Sequence, residues 1–193
     1  MKPARTAGGI GILLCALTAL FAPVAGAEGE IIDFDSDQWV MVNGQVVDHL
    51  GRRALVGTAY LDGVEFQDGV IEVDIAASWE RSYPGINFRI QSQRDYERFY
   101  IRPHAMKFFD GAMQYTPSIN GISGWQLYNG EGCTGVCEIP YDEWVHIRLE
   151  VKGTQARVFI GDGDTPDIEI HDLKHGVSRG TIGLDQMLSL IHI

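Results

Sequence analysis

"PGINFRIQSQRDYERFYIRPH", residues Pro84 to His104, decides how the rest of the chain is read. Two runs in it alternate apolar with polar residues, and a charged turn joins them. Ile86, Phe88 and Ile90 share one parity in the first run; Asn87, Arg89 and Gln91 share the other. Successive side chains of a strand point to opposite faces, so this period of two reads as a half-buried strand. In the second run Phe99 and Ile101 oppose Tyr100 and Arg102, and His104 continues the polar row past Pro103. Pairing the runs as a hairpin through "SQRDYE" makes their apolar faces coincide as core. It also gathers Asn87, Arg89, Tyr100, Arg102 and His104 on one patch.

The same period recurs on both sides of this hairpin. "QWVMVNGQVVDHLG" holds two strand-like runs around Asn43-Gly44, which predicts a tight hairpin turn. "RALVGTAYL", "GVIEVDIAAS", "AMQYTPSI", "EWVHIRLEVKG", "QARVFIGDG", "PDIEIHDL" and "GTIGL" continue the series, with Asp-Gly pairs at 62–63, 68–69, 110–111 and 162–163 as turns. Helical periodicity is absent at useful length. Ten or more short strands at regular spacing predict an all-β, two-sheet antiparallel jelly-roll sandwich.

The 193 residues suit one domain behind a targeting segment. Lys2 and Arg5 precede the apolar stretch Gly9 to Ala27, which ends in Ala25-Gly26-Ala27, an A-x-A cleavage pattern. Residues 1–27 are thus expected to be a signal peptide, with the mature domain over 28–193, exported to the periplasm or beyond. Without Lys2 and Arg5 the 15 basic residues fall to 13 against 26 acidic, and the formal charge moves from −11 to −13. That balance argues against nucleic acid or an anionic membrane as partner.

Cys133 and Cys137, in "GEGCTGVCEIP", are the cysteines that outlive signal removal. In an exported protein they are expected to form a disulfide stapling a Gly-rich loop, worth only about 2 kcal/mol for so small a ring. Zinc would need two further ligands, and none lies nearby in sequence. The tail "GTIGLDQMLSLIHI" drifts from a strand into an unpatterned apolar run, and "LSLIHI" reads like translated adapter sequence. Residues 187–193 are therefore expected to be non-native, the sandwich lacking its native C-terminal strand and exposing a sheet edge.

Taken in order, "FQDGVIEVDI", "PGINFR", "DYERFYIRPH", "MQYTPSINGISGWQLYNG", "EWVHIRLEVKGTQARVFI" and "GTIGL" resemble the secreted concanavalin A-like, laminin-G-like domains over residues 35 to 184. Nearest in pattern are the bacterial domains grouped with the 3-keto-disaccharide hydrolases. The resemblance implies a jelly roll with one convex and one concave sheet. It also implies an optional calcium ion, for which Asp162, Asp164 and Asp167 of "GDGDTPD" are the matching oxygens. It fixes no activity, since one fold hosts lectins, glycosidases and adhesion modules. The E-x-D-x-x-E signature of the retaining glycosidases is missing. In "IEVDIAASWE", Glu72 and Asp74 share a face, Ala77 holds the third position and Glu80 falls outside the register.

Arginine, asparagine, glutamine and histidine offer directional hydrogen bonds to sugar hydroxyls, and tyrosine or tryptophan a flat surface for C–H faces. The expected ligand-binding set is Asn87, Arg89, Tyr100, Arg102 and His104, joined by Gln114 from the neighbouring strand and Asn120 and Trp125 from the loop beyond. A plainer reading stays open: Arg89 and Arg102 could form a cross-strand ladder with Asp74 or Glu72. Tyr128 is a further rim aromatic, and Trp39 and Trp144 are expected in the core. The expected function is an exported domain that binds carbohydrate. The alternatives are a hydrolase of 3-keto-disaccharides or other glycans, with Glu97, Asp95 and His104 as scattered acid/base candidates, and a cell-surface protein-interaction module.

Overall fold

A computed structural model of the chain describes residues 29–105, 110–185 and 190–192. The signal peptide expected over 1–27 lies outside them. Along the described chain the strands are β1 (Trp39–Met41), β2 (Gln45–His49), β3 (Arg52–Val56), β4 (Thr58–Leu61), β5 (Gly69–Ala76), β6 (Gly85–Ser92), β7 (Asp95–Ile101) and β8 (Met113–Ile119). They continue as β9 (Ile122–Ser123), β10 (Thr134–Gly135), β11 (Trp144–Lys152), β12 (Gln155–Ile160), β13 (Ile168–Ile170), β14 (Thr181–Asp185) and β15 (Leu190–His192). Two short 3₁₀ turns, Pro103–Ala105 and Trp125–Leu127, interrupt them.

The strands form two antiparallel sheets. One runs β1-β4-β14-β6-β7-β8-β10 with β9 added on β8; the other runs β13-β12-β11-β5-β15-β3-β2. Between them lie Leu55, Ile75, Ile86, Phe88, Phe99, Tyr115, Ile147 and Leu149, none more than 1% exposed. Each such side chain contributes about 1.5–3 kcal/mol by leaving water. The fold is the all-β jelly roll that the alternating runs predict.

Two local expectations are overturned. Asn43-Gly44 is no hairpin, because β1 and β2 belong to different sheets. The chain crosses there, and Asn43 Oδ1 accepts the Thr58 N–H at 3.0 Å. Opposite it stands Gly57 at φ +102°, where a Cβ would meet the Asn43 carbonyl oxygen at 2.5 Å. The hairpin turn of this region is Leu50-Gly51, both at positive φ, joining β2 to β3. At the C-terminus, Leu190–His192 leave no gap: β15 pairs β5 on one side and β3 on the other. The expected missing strand thus has its place in the sheet taken by the tail itself, while residues 186–189 and 193 lie outside the described residues.

The decisive hairpin forms, with a twist inside it. Gly85, Ile86, Asn87 and Phe88 pair with Tyr100, Phe99, Arg98 and Glu97, and then the register shifts before Ser92. Against β14 the shift is also visible: Asn87 faces Gly183, yet Ile90 faces Thr181. One extra residue in β6 reverses the parity beyond it, as a β-bulge does. Ile90 therefore turns outward over Gly183, where a Cβ would meet its Cδ1 at 2.9 Å. Arg89 sits in the bulge at φ +51° and turns in.

Candidate functional site: an arginine-lined groove on the eight-stranded sheet

Core residues Phe99 and Ile101 send Arg98 and Tyr100 of β7, and Arg102 just past its end, to the outer face of the eight-stranded sheet. There a groove of about 810 Å³ opens above them. Tyr100 is its floor, 5% exposed. The guanidinium groups of Arg98 and Arg102 each lie 4.8 Å from the centre of its ring, one on each side along the strand. Burial pushes the Tyr100 phenol above its usual range, partly offset by these two arginines, so it stays a neutral hydroxyl.

The floor is locked by a small network. The Tyr100 hydroxyl donates to Gln114 Oε1 at 2.7 Å. Arg102 donates to the Gly111 carbonyl at 2.5 Å, to the Tyr100 hydroxyl at 2.5 Å and to Gln114 Oε1. The Gln114 amide in turn donates to the carbonyls of Trp125 at 2.7 Å and Tyr128 at 2.5 Å. All four hydrogen-bonding positions of Gln114 are therefore used inside the protein. It is fully buried and brackets the Trp125 turn to the sheet.

That turn makes one rim. Trp125 is 46% exposed, with its ring 5.6 Å from the Arg102 guanidinium carbon, and Gln126, Asn129 and Ser123 stand beside it. The opposite rim comes from the segment before β6. Tyr83 sits edge-on to Tyr100 at 6.3 Å and to His104 at 5.5 Å, and Arg81 packs over Tyr83 with its guanidinium carbon 5.5 Å from the ring centre. Asp185 from β14 closes the end and pairs with Arg98 at 3.1 Å, while its other oxygen accepts from Thr58. His104 is held below its usual pKa by partial burial and then by Arg81 and Arg102, so its ring is neutral near pH 7.

The structure thus brings Tyr100, Arg102, His104 and Trp125 of the expected set together, with Gln114 beneath them as a support rather than a contact. The other members fall elsewhere. Arg89 is 0% exposed and donates to the carbonyls of Gln67 at 2.7 Å, Gly176 at 2.6 Å and Gly153 at 2.7 Å, and to Asp68 at 3.0 Å. The bulge gives it this inward course, and it cannot touch a ligand in the groove. The ladder alternative fails as well, because Asp74 and Glu72 belong to the other sheet. There Asp74 pairs with Arg52 at 2.5 Å and His146 at 2.9 Å, and Glu72 stands 3.5 Å from His146. Asn87 shares the outer face with Arg98 but is only 7% exposed and lies outside the groove lining. Asn120 forms the β8–β9 turn at φ +54°, with Arg94 donating to its carbonyl.

Other expected residues also shift. Trp144 is half-buried on the outer face of the second sheet, stacked under Arg52 at 5.3 Å, because it shares parity with His146 rather than Ile147. Trp39 is in the core, 7% exposed. Tyr128 packs edge-on against Tyr115 at 6.1 Å rather than lining the groove. Cys133 and Cys137 are two separate thiols. The strand pair Thr134-Gly135 between them keeps the chain extended, at about 3.3 Å per residue, whereas a disulfide needs Cα atoms within about 7 Å. Burial pushes the Cys137 thiol up to about 12 and raises Cys133 too.

The acid/base candidates do not assemble. Glu97 is 0% exposed on the inner face, accepting from the Tyr115 hydroxyl at 2.6 Å and the His175 N–H at 2.8 Å. Asp95 caps the hairpin, its carboxyl held low first by the Asn120 N–H and then by the Ser92 hydroxyl. The calcium reading does not fit either. Asp167 accepts the Ile160 N–H at 2.7 Å, and among the described residues no group of three or more His, Cys, Asp or Glu could hold a metal. Residues missed by sequence reasoning are Arg81, Tyr83, Arg98 and Asp185. Arg98 had a signal, since its parity is that of Tyr100 and Arg102; the others lie outside any periodic run or in a strand 85 residues away.

No family model and no curated protein matches the sequence. Solved structures do. The carbohydrate-binding module CBM66 from Bacillus subtilis matches over 80% of this chain and 91% of its own, with a TM-score of 0.60 and 17% identity. A B. subtilis protein of unknown function with a galectin-like fold covers 77% and 83% at TM-score 0.56 and 13% identity. A putative glycosyl hydrolase from Parabacteroides distasonis covers 80% and 84% at TM-score 0.53 and 13% identity. At such low identity the likeness is one of fold alone, the antiparallel jelly-roll sandwich.

Proposed function

We propose that the protein is an exported glycan-binding domain whose ligand lies in the groove over Tyr100, between Trp125 and Tyr83. One observation carries this reading: an exposed indole faces a floor of hydrogen-bonding side chains already fixed in place. A sugar needs both, a flat apolar surface for its C–H face and directed donors for its hydroxyls. A groove of about 810 Å³ is within the ordinary range of ligand sites. The fold likeness to a carbohydrate-binding module supports the same class without naming a sugar.

Affinity electrophoresis in gels containing xylan, galactan, arabinan or mixed-linkage glucan, alongside acidic polysaccharides, tests it. Retardation by at least one polysaccharide is expected. Trp125→Ala should weaken it about 10- to 30-fold, roughly 1.4–2 kcal/mol, with an unchanged circular dichroism spectrum. Release of reducing sugar during the same incubation would point to the hydrolase instead. Against that outcome, Asp185 is the sole carboxylate lining the groove among the described residues, and it is paired with Arg98. Glycoside hydrolysis ordinarily takes two carboxylates flanking the bond.

A further inference from the structure

Resting on that reading of the groove, we infer that its ligand is an acidic saccharide, one presenting a uronate carboxylate to Arg81 and Arg102. The chain carries 26 acidic residues against 15 basic, yet the groove gathers three arginines around a single aspartate. Asp185 is committed to Arg98, so that pair is neutral. Arg102 spends its donors on uncharged acceptors, namely the Gly111 carbonyl, the Tyr100 hydroxyl and Gln114 Oε1. Arg81 leans on the Tyr83 ring and donates to the Tyr83 hydroxyl. Among the described residues neither Arg81 nor Arg102 has a carboxylate partner, and two full positive charges are left facing the groove.

Bonds to neutral acceptors fix a guanidinium without cancelling its charge. The depressed pKa of His104, to which Arg81 and Arg102 contribute after burial, is a second sign of the same field. In a protein of opposite overall sign, such a groove attracts anions locally while the remaining surface repels them. It thereby selects a small anionic group placed on an otherwise stackable sugar. A carboxylate suits the planar fork of Arg81, which is bonded only through Nε and can offer two parallel N–H bonds from its Nη groups, while Arg102, its Nη2 hydrogens already placed, contributes mainly its charge. A neutral sugar would leave both charges unpaired.

The full chain is titrated calorimetrically against tetragalacturonate, an oligomannuronate and a hyaluronan tetrasaccharide, each beside its methyl ester, which keeps the sugar and removes the charge. A sulfated, uronate-free carrageenan fragment separates sulfate from carboxylate. At least one acid form is expected to bind about tenfold more tightly than its ester. Its affinity should fall several-fold between about 20 mM and about 300 mM NaCl. Arg81→Gln should shrink the acid-over-ester preference about fivefold. Arg102→Lys, which keeps the charge, should retain part of that preference.

Equal binding of acid and ester, or binding confined to neutral polysaccharides, overturns the acidic assignment and leaves the glycan reading standing. Binding of the sulfated fragment alone also overturns it, in favour of sulfate. Failure of every acidic and neutral saccharide overturns both readings together.

Discussion

Arg89 shows how far one residue can depart from the face its neighbours assign it. By alternation it belongs beside Asn87 on the ligand face; in space it joins three loops, through the carbonyls of Gln67, Gly153 and Gly176 and the carboxylate of Asp68. Asp68 is bound again by the Gly153 N–H at 2.8 Å, so the two residues form one clamp. Removing the side chain orphans three carbonyls at once. Arg89→Ala is therefore expected to cost about 3–5 kcal/mol in urea unfolding. Arg89→Lys should recover less than half of that, since an ammonium cannot span the same acceptors. A change below about 1 kcal/mol would mean that the clamp is not formed. The two thiols give a second check at this scale. Without reductant, a denatured chain spanning residues 28–193 should take up two maleimides by mass. In the native state at pH 7–8 Cys137 should react slowly, because its raised pKa leaves almost no thiolate there.

At the scale of elements, the alternation of β7 was fully legible, and it located the groove floor. The bulge in β6 was not, because nothing in "FRIQS" marks an inserted residue; it is set by where β7 and β14 offer partners. The crossing at Asn43-Gly44 was misread for a related reason. A turn-forming dipeptide reports that the chain bends, while the sheet that receives the next strand is decided by distant packing. The rim from Tyr83 and Asp185 could not be read at all, since its parts come from outside the hairpin. Parity places Gln114 beside Tyr100 on the neighbouring strand, but its burial under the Trp125 turn depends on contacts that parity does not carry. Gln114→Leu keeps the volume and unpairs Tyr100, Arg102 and the turn carbonyls. It is expected to lose about 2–3 kcal/mol of stability. Hydrogen exchange across residues 124–130 should rise by more than in Arg89→Ala, since Gln114 holds the carbonyls of Trp125 and Tyr128 and Arg89 bonds to neither.

For the molecule as a whole, the sequence disclosed the sandwich, its antiparallel sheets and its core, because period two over many strands leaves few other solutions. It did not disclose that the C-terminal tail supplies β15. That strand stands between β5 and β3, so the second sheet is continuous only through it. Deleting residues 187–193 should open two new edges inside a sheet rather than trim one at its border. The expected result is a melting temperature lower by several degrees and concentration-dependent light scattering, and an unchanged melt would show that the tail contributes no pairing in solution.

The groove above Tyr100 lies at the start of β6, where Gly85 pairs with Tyr100, and the clamp lies farther along it at the bulge, where Arg89 turns inward. What holds the sandwich shut and what meets the outside world are thus built from separate sets of atoms. Natural variation can rewrite the rims, exchanging one appetite for another, while the closing knot stays tied; a library randomised at positions 81, 83, 123, 126 and 129 would inherit an intact body in nearly every member.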